Sequence, residues 1–215
     1  MQNDKISINS IGDFKKRFGS MIGTFVKKHG INQKYLEAYV YCESTSGSGF
    51  FRDGRLLIRF ENYTFIDEAN KLGSNLSYDL VKYNPNNYED EHYRKNTNSD
   101  WISIHDTPNT RYASLEWAKS LNREAAYRSI SMGFPQIMGF NYAMLGYESA
   151  EQMYNAFSSG YTGQINGFFA FVQNDHNGAI INALKNNDAR KAIALYNGSG
   201  NVEAYLGKFD KYMNC

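Results

Sequence analysis

Residues 35–43 form an aromatic helical pattern that ends in a carboxylate. Tyr35, Tyr39 and Glu43 are spaced four residues apart, so a helix places all three side chains on one face. The chain then enters a serine- and glycine-rich loop, which ends the helix. A carboxyl group at this position is partly desolvated yet reachable by a ligand, and desolvation raises its pKa, as a proton donor near neutral pH requires. The alternative is a Glu43 that caps the helix and faces water.

Helical signals dominate the rest of the chain. Ser10 and Gly30 bound a first predicted helix that ends near His29, and Asn32 begins a second that ends near Glu43. Further helices are predicted for residues 110–128, 149–157, 162–173, 178–185, 188–195 and 202–212. Residues 55–61 are the best strand candidate, and the polar segment 73–109 is predicted to cover one side of a groove. The pattern predicts a mostly α protein with a small β element.

The chain is predicted to form one domain over residues 1–215, because it has no internal repeat or low-complexity linker. Residues 1–34 carry seven lysines and arginines against two aspartates, a local net charge of +5. Phe14, Phe18 and Phe25 follow helical spacing among these charges. We therefore expect residues 1–30 to form a basic amphipathic helix packed on the domain. The alternative is a helix that lies on an anionic membrane surface.

Composition excludes several classes of function. A net charge of +1 gives no general attraction to nucleic acid. No apolar run is long enough for a membrane span, and residues 1–30 lack the apolar core of a signal peptide. The four histidines show no metal-ligand spacing and no glycine-rich phosphate loop is present, so we expect neither a metal nor a cofactor.

Three motifs carry a family resemblance when they are taken in order. They are Glu43-Ser44, then Ser131-x-Gly133-x-x-Gln136-Ile137-Met138, then Tyr196-Asn197-Gly198. This order resembles the goose-type lysozyme and lytic transglycosylase superfamily and, more closely, the phage and bacterial N-acetylmuramidase domains of endolysins. Residues 54–61 and 139–147 match the narrower family, and the resemblance runs from Ile31 to Met213. It implies an α+β lysozyme-like fold, a helical bundle around a substrate groove.

Two positions depart from the family pattern. Met132 stands where the family usually carries Trp, and Phe134-Pro135 stands where it carries a Leu-Phe pair. Pro135 lacks an amide hydrogen and restricts Phe134, so a regular helix through this segment is not expected. The resemblance therefore does not extend to the shape of the sugar groove near Met132.

The resemblance implies cleavage of the β-1,4 bond between N-acetylmuramic acid and N-acetylglucosamine, with Glu43 as the general acid. Hydrolysis also needs a nucleophile or an activated water, which a second carboxylate normally supplies. Glu61 is preferred because it ends the family-like strand. Its alternative role is a structural ion pair with Arg59 or Arg55. The other candidates for the second carboxylate are Asp53, Asp67 and Asp106.

Several further residues are predicted to line the groove. Gln136 and Asn197 carry amides that can recognise acetamido and hydroxyl groups, although Asn197 could merely form a turn with Gly198. Tyr196 can hydrogen-bond a carboxyl group and orient it. Ser131 and Gly133 are expected to shape the groove through their backbone groups. Asn141 and Tyr142 lie in the family-like stretch that follows and are assigned to substrate binding through the resemblance.

The predicted function is therefore that of a peptidoglycan hydrolase, a lysozyme-like muramidase that acts as a monomer on bacterial glycan strands. Two alternatives stay open. A lytic transglycosylase can work with one catalytic Glu and forms 1,6-anhydro-muramic ends, whereas a non-catalytic wall-binding or virion structural module keeps only the fold. We expect synthesis in the cytoplasm without a signal peptide, no stable membrane insertion, and action on the cell wall after release or delivery.

Overall fold

The computed structural model describes residues 5, 8, 10–43, 48–84, 87 and 90–214. The fold is mostly helical with small antiparallel sheets, as predicted. Most of the serine- and glycine-rich loop predicted after Glu43 falls on residues 44–47, outside the described residues.

The centre of the fold is helix α2 (Gln33–Glu43), in which every residue from Tyr35 onward is buried. It lies between α1 (Ile11–His29) and α10 (Val202–Met213). Tyr39 also reaches the next layer, since its hydroxyl donates to the Ala192 carbonyl at 3.1 Å. A helix enclosed on all sides has no polar face to keep in water, which explains its run of aromatic and aliphatic residues. Glu43 is therefore fixed at the end of the most enclosed element of the core.

Helix α1 packs one face against the core. Ser10 caps its start by accepting from the Asp13 amide, and Gly30 ends it in the left-handed conformation with a φ of 69°. Phe14 and Phe18 are buried, and the half-buried ring of Phe25 stacks on Phe169 with ring centroids 4.2 Å apart. The basic residues of α1 lie on its partly and fully exposed faces. These are lysines 15, 16, 27 and 28 and Arg17.

A three-stranded antiparallel sheet carries the family-like motifs. Its strands are β1 (Ile58–Phe60), β5 (Ile130–Met132) and β6 (Ile137–Met138), in the order β1-β5-β6. The predicted strand at 55–61 is thus confirmed in its central part. The register sets Ser131 between Arg59 on one side and Met138 on the other, so these three side chains share one face.

A second sheet lies inside the polar segment 73–109. Its strands are β2 (Val81–Lys82), β3 (His92–Tyr93) and β4 (Ile102–Ser103). Asn62 holds this sheet to helix α3 (Asn62–Lys71), because its side-chain amide donates to the carbonyls of Lys82 and His92 at 2.6 and 3.1 Å. The sequence pattern did not predict this sheet, since strands of two residues leave no alternation to detect. Helix α3 was not predicted either.

The remaining helices follow the predicted spans with local differences. The predicted helix at 110–128 is two helices, because the Asn122 side chain accepts from the Ala125 amide and starts a new one. Ser149 caps its helix by accepting from the Gln152 amide, and the Gln152 side chain accepts from the Glu148 amide. The bounds are α4 (Pro108–Leu121), α5 (Arg123–Arg128), α6 (Ala150–Ser159), α7 (Tyr161–Asn174), α8 (Ala179–Lys185) and α9 (Ala189–Asn197). Within the described ranges no helix has both the length and the apolar character to cross a membrane.

Removal of residues 1–30 should lower the melting temperature or abolish soluble expression, because it exposes the core under Phe14 and Phe18. Each of these buried rings contributes roughly 1.5–3 kcal/mol. The measurement is thermal unfolding, together with the point variant Phe18→Ala, for which we expect a loss of about 3–5 kcal/mol. Lys27→Ala is the matched control on the exposed face of the same helix. A stable truncated enzyme with full activity on purified peptidoglycan and reduced activity on intact cells would instead identify a membrane-targeting helix.

Candidate active site

Glu43 is the last residue of α2, and its surface is only 5% exposed. Its Oε2 atom accepts a hydrogen bond from the Asn197 side-chain amide at 2.6 Å. Its Oε1 atom is buried, and no described residue gives it a hydrogen-bond partner. The Asn197 amide therefore holds Oε2 in place, while Oε1 can still form a hydrogen bond with a ligand.

The pKa of Glu43 is raised to about 7. Burial of the carboxyl group is the main cause, while the Asn197 hydrogen bond and the positive charge of Lys208 both act to lower the pKa. Burial outweighs the two opposing effects. Near neutral pH a large fraction of the molecules therefore carries Glu43 as a neutral carboxylic acid, the form that can donate a proton.

Two tyrosines form part of the wall around Glu43. The rings of Tyr39 and Tyr196 meet edge to face with centroids 6.4 Å apart, and both hydroxyls have their pKa raised well above the usual value by burial and the nearby Glu43 charge. Tyr196 donates to the Pro135 carbonyl at 2.8 Å. The predicted bond from Tyr196 to the carboxyl group is therefore wrong, because the single phenolic hydrogen is used elsewhere. Asn197 orients the carboxyl group instead.

The turn that joins β5 to β6, residues 133–136, brings the second motif to the site. Gly133 and Gln136 have positive φ angles of 67° and 47°, and such a conformation is rare for a residue with a side chain. The Gln136 side chain folds back over the turn, accepting from the Ser131 hydroxyl at 2.9 Å and donating to the Gly133 carbonyl at 2.6 Å. Ser131 was expected to act through its backbone, but its hydroxyl also holds the Gln136 side chain over the turn.

The two departures from the family pattern lie in the core. Met132 and Phe134 are buried, and the Phe134 ring packs near Tyr161 and Phe168. Residues 133–136 form a turn, which agrees with the expectation that Pro135 prevents a regular helix here. The Met132 side chain is fully buried and points away from solvent.

A cleft of about 430 Å³ lies on the sheet face beside this turn. Its lining includes Glu61, Arg59, Arg111, Ser131 and Gln136. Glu61 is half-buried and forms an ion pair with Arg59, whose Nε lies 2.9 Å from Oε1. Burial raises the pKa of Glu61, and the charge of Arg59 opposes this shift. Glu61 therefore lines the cleft and also forms the ion pair that was its alternative role.

The turn at 133–136 is connected to both Glu43 and Glu61. Gln136 lines the Glu61 cleft, while the neighbouring Pro135 carbonyl accepts from Tyr196. The residue after Tyr196 is Asn197, which holds Glu43. The three sequence motifs that are far apart in the chain are thus linked through hydrogen bonds around one turn.

The other candidate carboxylates lie elsewhere. Asp53 forms an exposed ion pair with Arg55, with Oδ2 and Nη2 2.6 Å apart. Asp106 accepts from Ser103 at 2.5 Å, and together with Asp53 it lines a separate cleft of about 400 Å³. Asp67 accepts from the Tyr78 hydroxyl at the surface. Of the four candidates for the second carboxylate, Glu61 is the one that lines the cleft of the 133–136 turn.

Asn141 and Tyr142 lie beyond β6, next to α5. The Tyr142 hydroxyl accepts from Arg128 at 3.2 Å, and the Arg128 guanidinium lies 5.3 Å from the centre of the Tyr142 ring. Asn141 ends a short 3₁₀ turn. The structure does not bring these two residues into hydrogen-bond contact with Glu43 or Gln136. Their role in substrate binding stays a prediction.

Gln164 is a structural residue of the site that sequence reasoning missed. It is completely buried on α7, where its Oε1 accepts from the Phe134 amide at 2.9 Å and its Nε2 donates to the Gly49 carbonyl at 3.4 Å. A Cβ atom at Gly49 or Gly133 would collide with the Gln164 amide. Gln164 therefore joins the chain downstream of Glu43 to the 133–136 turn. The predicted helix at 162–173 also contains Asn166 and Gln173, so its sequence gave no signal that singled out Gln164.

Comparison with known proteins identifies the family. A family model for N-acetylmuramidases matches residues 32–214, most of the chain. The chain belongs to the N-acetylmuramidase family. The crystal structure of the Burkholderia AP3 phage endolysin is similar in fold, with a TM-score of 0.70 and 23% sequence identity over 90% of this chain and 67% of that one. A comparison with curated proteins gave no significant match.

The family assignment confirms the activity predicted from the motifs. The enzyme is a lysozyme-like glycoside hydrolase that degrades the peptidoglycan of the cell wall. The matched region contains Glu43, the 133–136 turn and Asn197, whereas helix α1 lies outside it. Over the part of the chain that the structure describes, no three His, Cys, Asp or Glu side chains group as a metal site would require.

Replacement of Glu43 by Gln should stabilise the enzyme at alkaline pH. The folded-state pKa of about 7 lies above the usual value of 4.5, so the stability linked to this proton is complete below about pH 4.5 and is lost as pH rises through 7. Gln has no proton to lose, and at pH 8 the variant should be more stable than the wild type by on the order of 3 kcal/mol.

Urea unfolding at pH 5 and pH 8 measures this difference. Glu148→Gln is the matched control, because it makes the same substitution at an exposed position outside the site. A Glu43→Gln variant whose stability relative to wild type is the same at both pH values would show that Glu43 ionises normally.

Proposed function

We propose that Glu43 is the general acid that protonates the oxygen of the β-1,4 bond between N-acetylmuramic acid and N-acetylglucosamine. The observation that carries this proposal is the state of its carboxyl group, buried, with a pKa raised to about 7 and with one oxygen unbonded to any described residue. Protonation of the leaving oxygen lets the glycosidic bond break while positive charge develops on the muramic sugar ring. Asn197 fixes the direction in which the carboxyl group points.

Glu61 is proposed as the second carboxylate, the base that activates a water molecule. Its environment differs from that of Glu43, because the adjacent Arg59 charge favours the ionised form. Burial raises the pKa of both carboxyl groups, but at Glu61 the Arg59 ion pair opposes the shift and so favours the ionised form that a base needs. In this mechanism the water attacks the anomeric carbon, Glu61 takes its proton, and the product has a reducing end.

Substrate recognition is assigned to the groups around the 133–136 turn. The Gln136 amide uses one donor and one acceptor within the turn, so it keeps one amide hydrogen and further acceptor capacity for a sugar. Asn197 likewise has one amide hydrogen and its oxygen left after bonding Glu43. Ser131, Gly133 and Tyr196 act on the substrate through the shape of the turn. Asn141 and Tyr142 are proposed to contact the glycan further along the groove.

A lytic transglycosylase reaction is the second candidate, and the Arg59–Glu61 ion pair is the observation that favours it. If Glu61 serves only as the structural partner of Arg59, the site has no second carboxylate to activate water. The 6-hydroxyl group of the muramic acid then attacks its own anomeric carbon and forms a 1,6-anhydro end. The buried environment of an intact Glu43 argues against the third alternative, a wall-binding or virion module without activity.

We propose that the enzyme acts as a monomer. The enzyme acts on the cell wall, as its family implies. We further propose that the chain is made in the cytoplasm and reaches the wall after cell lysis or through a holin or an injection apparatus.

Glu43→Gln should reduce the rate of wall digestion by on the order of 10²-fold or more, because Gln cannot donate the proton. The measurement is release of soluble fragments from purified peptidoglycan, with mass spectrometry of the ends. Reducing ends support the hydrolase, and anhydro ends, lighter by one water, support the transglycosylase. Glu37→Gln is the matched control, since Glu37 is a buried glutamate on the same helix that accepts from Gln33 at 2.8 Å. Near-wild-type lysis by Glu43→Gln would remove Glu43 as the acid.

Glu61→Gln should lower activity with little change in melting temperature if Glu61 activates water. If Glu61 serves only as the ion-pair partner of Arg59, the melting temperature should fall while activity is kept. Glu68→Gln is the control on the same helix, because Glu68 is ion-paired with Lys71 and Arg128 away from the cleft. A Glu61→Gln enzyme that is fully active and equally stable would exclude both roles.

A further inference from the structure

Three tyrosines form an exposed cluster at the start of helix α3. Tyr63, Tyr78 and Tyr83 are 43%, 42% and 50% exposed, and the Tyr63 ring lies 4.6 Å from Tyr78 and 5.5 Å from Tyr83 between centroids. Every other tyrosine among the described residues is buried or half-buried. We call these three residues the tyrosine cluster. Large apolar groups that stay in water together on one surface are typical of a binding site.

The cluster is held in place by the elements beneath it. The Tyr78 hydroxyl donates to Asp67, which lies one turn along α3 from Tyr63. Asn62 joins the first residue of α3 to the strand that precedes Tyr83, through its bond to the Lys82 carbonyl at 2.6 Å. The three rings are therefore arranged before any ligand arrives, which lowers the entropic cost of binding.

The cluster begins two residues after Glu61, which lines the cleft. Glu61 is the N-cap residue of α3, and Tyr63 is two residues further on, so their Cα atoms are at most about 7 Å apart. The cleft, at about 430 Å³, has the volume of a site for one small ligand. The substrate of the family is a polymer, so a strand bound in the cleft continues onto the neighbouring surface.

We propose that the tyrosine cluster is an extension of the glycan-binding groove, where aromatic rings stack on the sugars of a strand beyond the bond that is cleaved. This proposal rests on the proposed position of the scissile bond at Glu43 and Glu61. The faces of a pyranose ring carry C–H groups and suit an aromatic face, while the sugar hydroxyls stay in water at the edges. The Tyr63 and Tyr83 hydroxyls add donors and acceptors for acetamido groups. The cluster holds long strands and takes no part in bond cleavage.

The double variant Tyr63→Ala/Tyr83→Ala tests this proposal. We expect about tenfold weaker binding to insoluble peptidoglycan in a sedimentation assay, the size expected for the loss of two stacking rings. On the polymer KM should rise with kcat unchanged, while kcat/KM on a short muramic acid–glucosamine oligomer that fills only the cleft should stay the same. Leu72→Ala is the matched control, because Leu72 is also 43% exposed and lies at the opposite end of α3.

Wall binding by the double variant at wild-type strength would overturn the proposal. So would a loss of self-association in gel filtration with wall binding unchanged, since that result makes the cluster a contact between two copies of the chain. An equal loss of kcat/KM on the short oligomer would place the rings at the reaction centre and would also contradict it. Because sedimentation measures binding alone, the result can be read separately from the Glu43→Gln assay, which tests the acid.

Discussion

The site depends on the burial of one carboxyl group and on the hydrogen bond from Asn197 that directs it. Asn197 donates to Glu43 at 2.6 Å across 154 positions of sequence. The bond alone would lower the pKa of Glu43, and burial must outweigh it to give a value of about 7. The same burial destabilises the ionised enzyme, so the property that makes Glu43 an acid is obtained at the expense of stability.

Burial of this kind requires a rigid frame, which the core around α2 supplies. Tyr39 of α2 donates to the Ala192 carbonyl of α9. Tyr196 donates to the Pro135 carbonyl in the 133–136 turn. Gln164 fixes the same turn from the opposite side through the Phe134 amide. Each of these side chains bonds a backbone amide or carbonyl group, so the position of the turn depends on its backbone atoms.

The sequence predicted the helical fold and Glu43 as the candidate acid, because both predictions rest on patterns within short segments. Ser10 and Gly30 act within one turn of helix, and the family motif around Glu43 is contiguous. What it missed depends on contacts between distant segments. The partner of Tyr196 could not be read from a pattern, because a phenol can donate to a carboxylate or to a carbonyl with equal ease. Gln164 was missed for the same reason, since its three partners come from three separate segments.

The most direct test of this account is the ionisation of Glu43 itself. Carbon-13 NMR of enzyme labelled at the glutamate side-chain carboxyl carbons, with the Glu43→Gln variant to assign the signal, follows this group through a pH titration. The account predicts a midpoint of about 7, and a higher one when Asn197 is replaced by Ala, because the hydrogen bond to the ionised form is lost. A midpoint near the ordinary value of 4.5 would contradict it, since Glu43 would then be ionised at neutral pH and could not act as the acid.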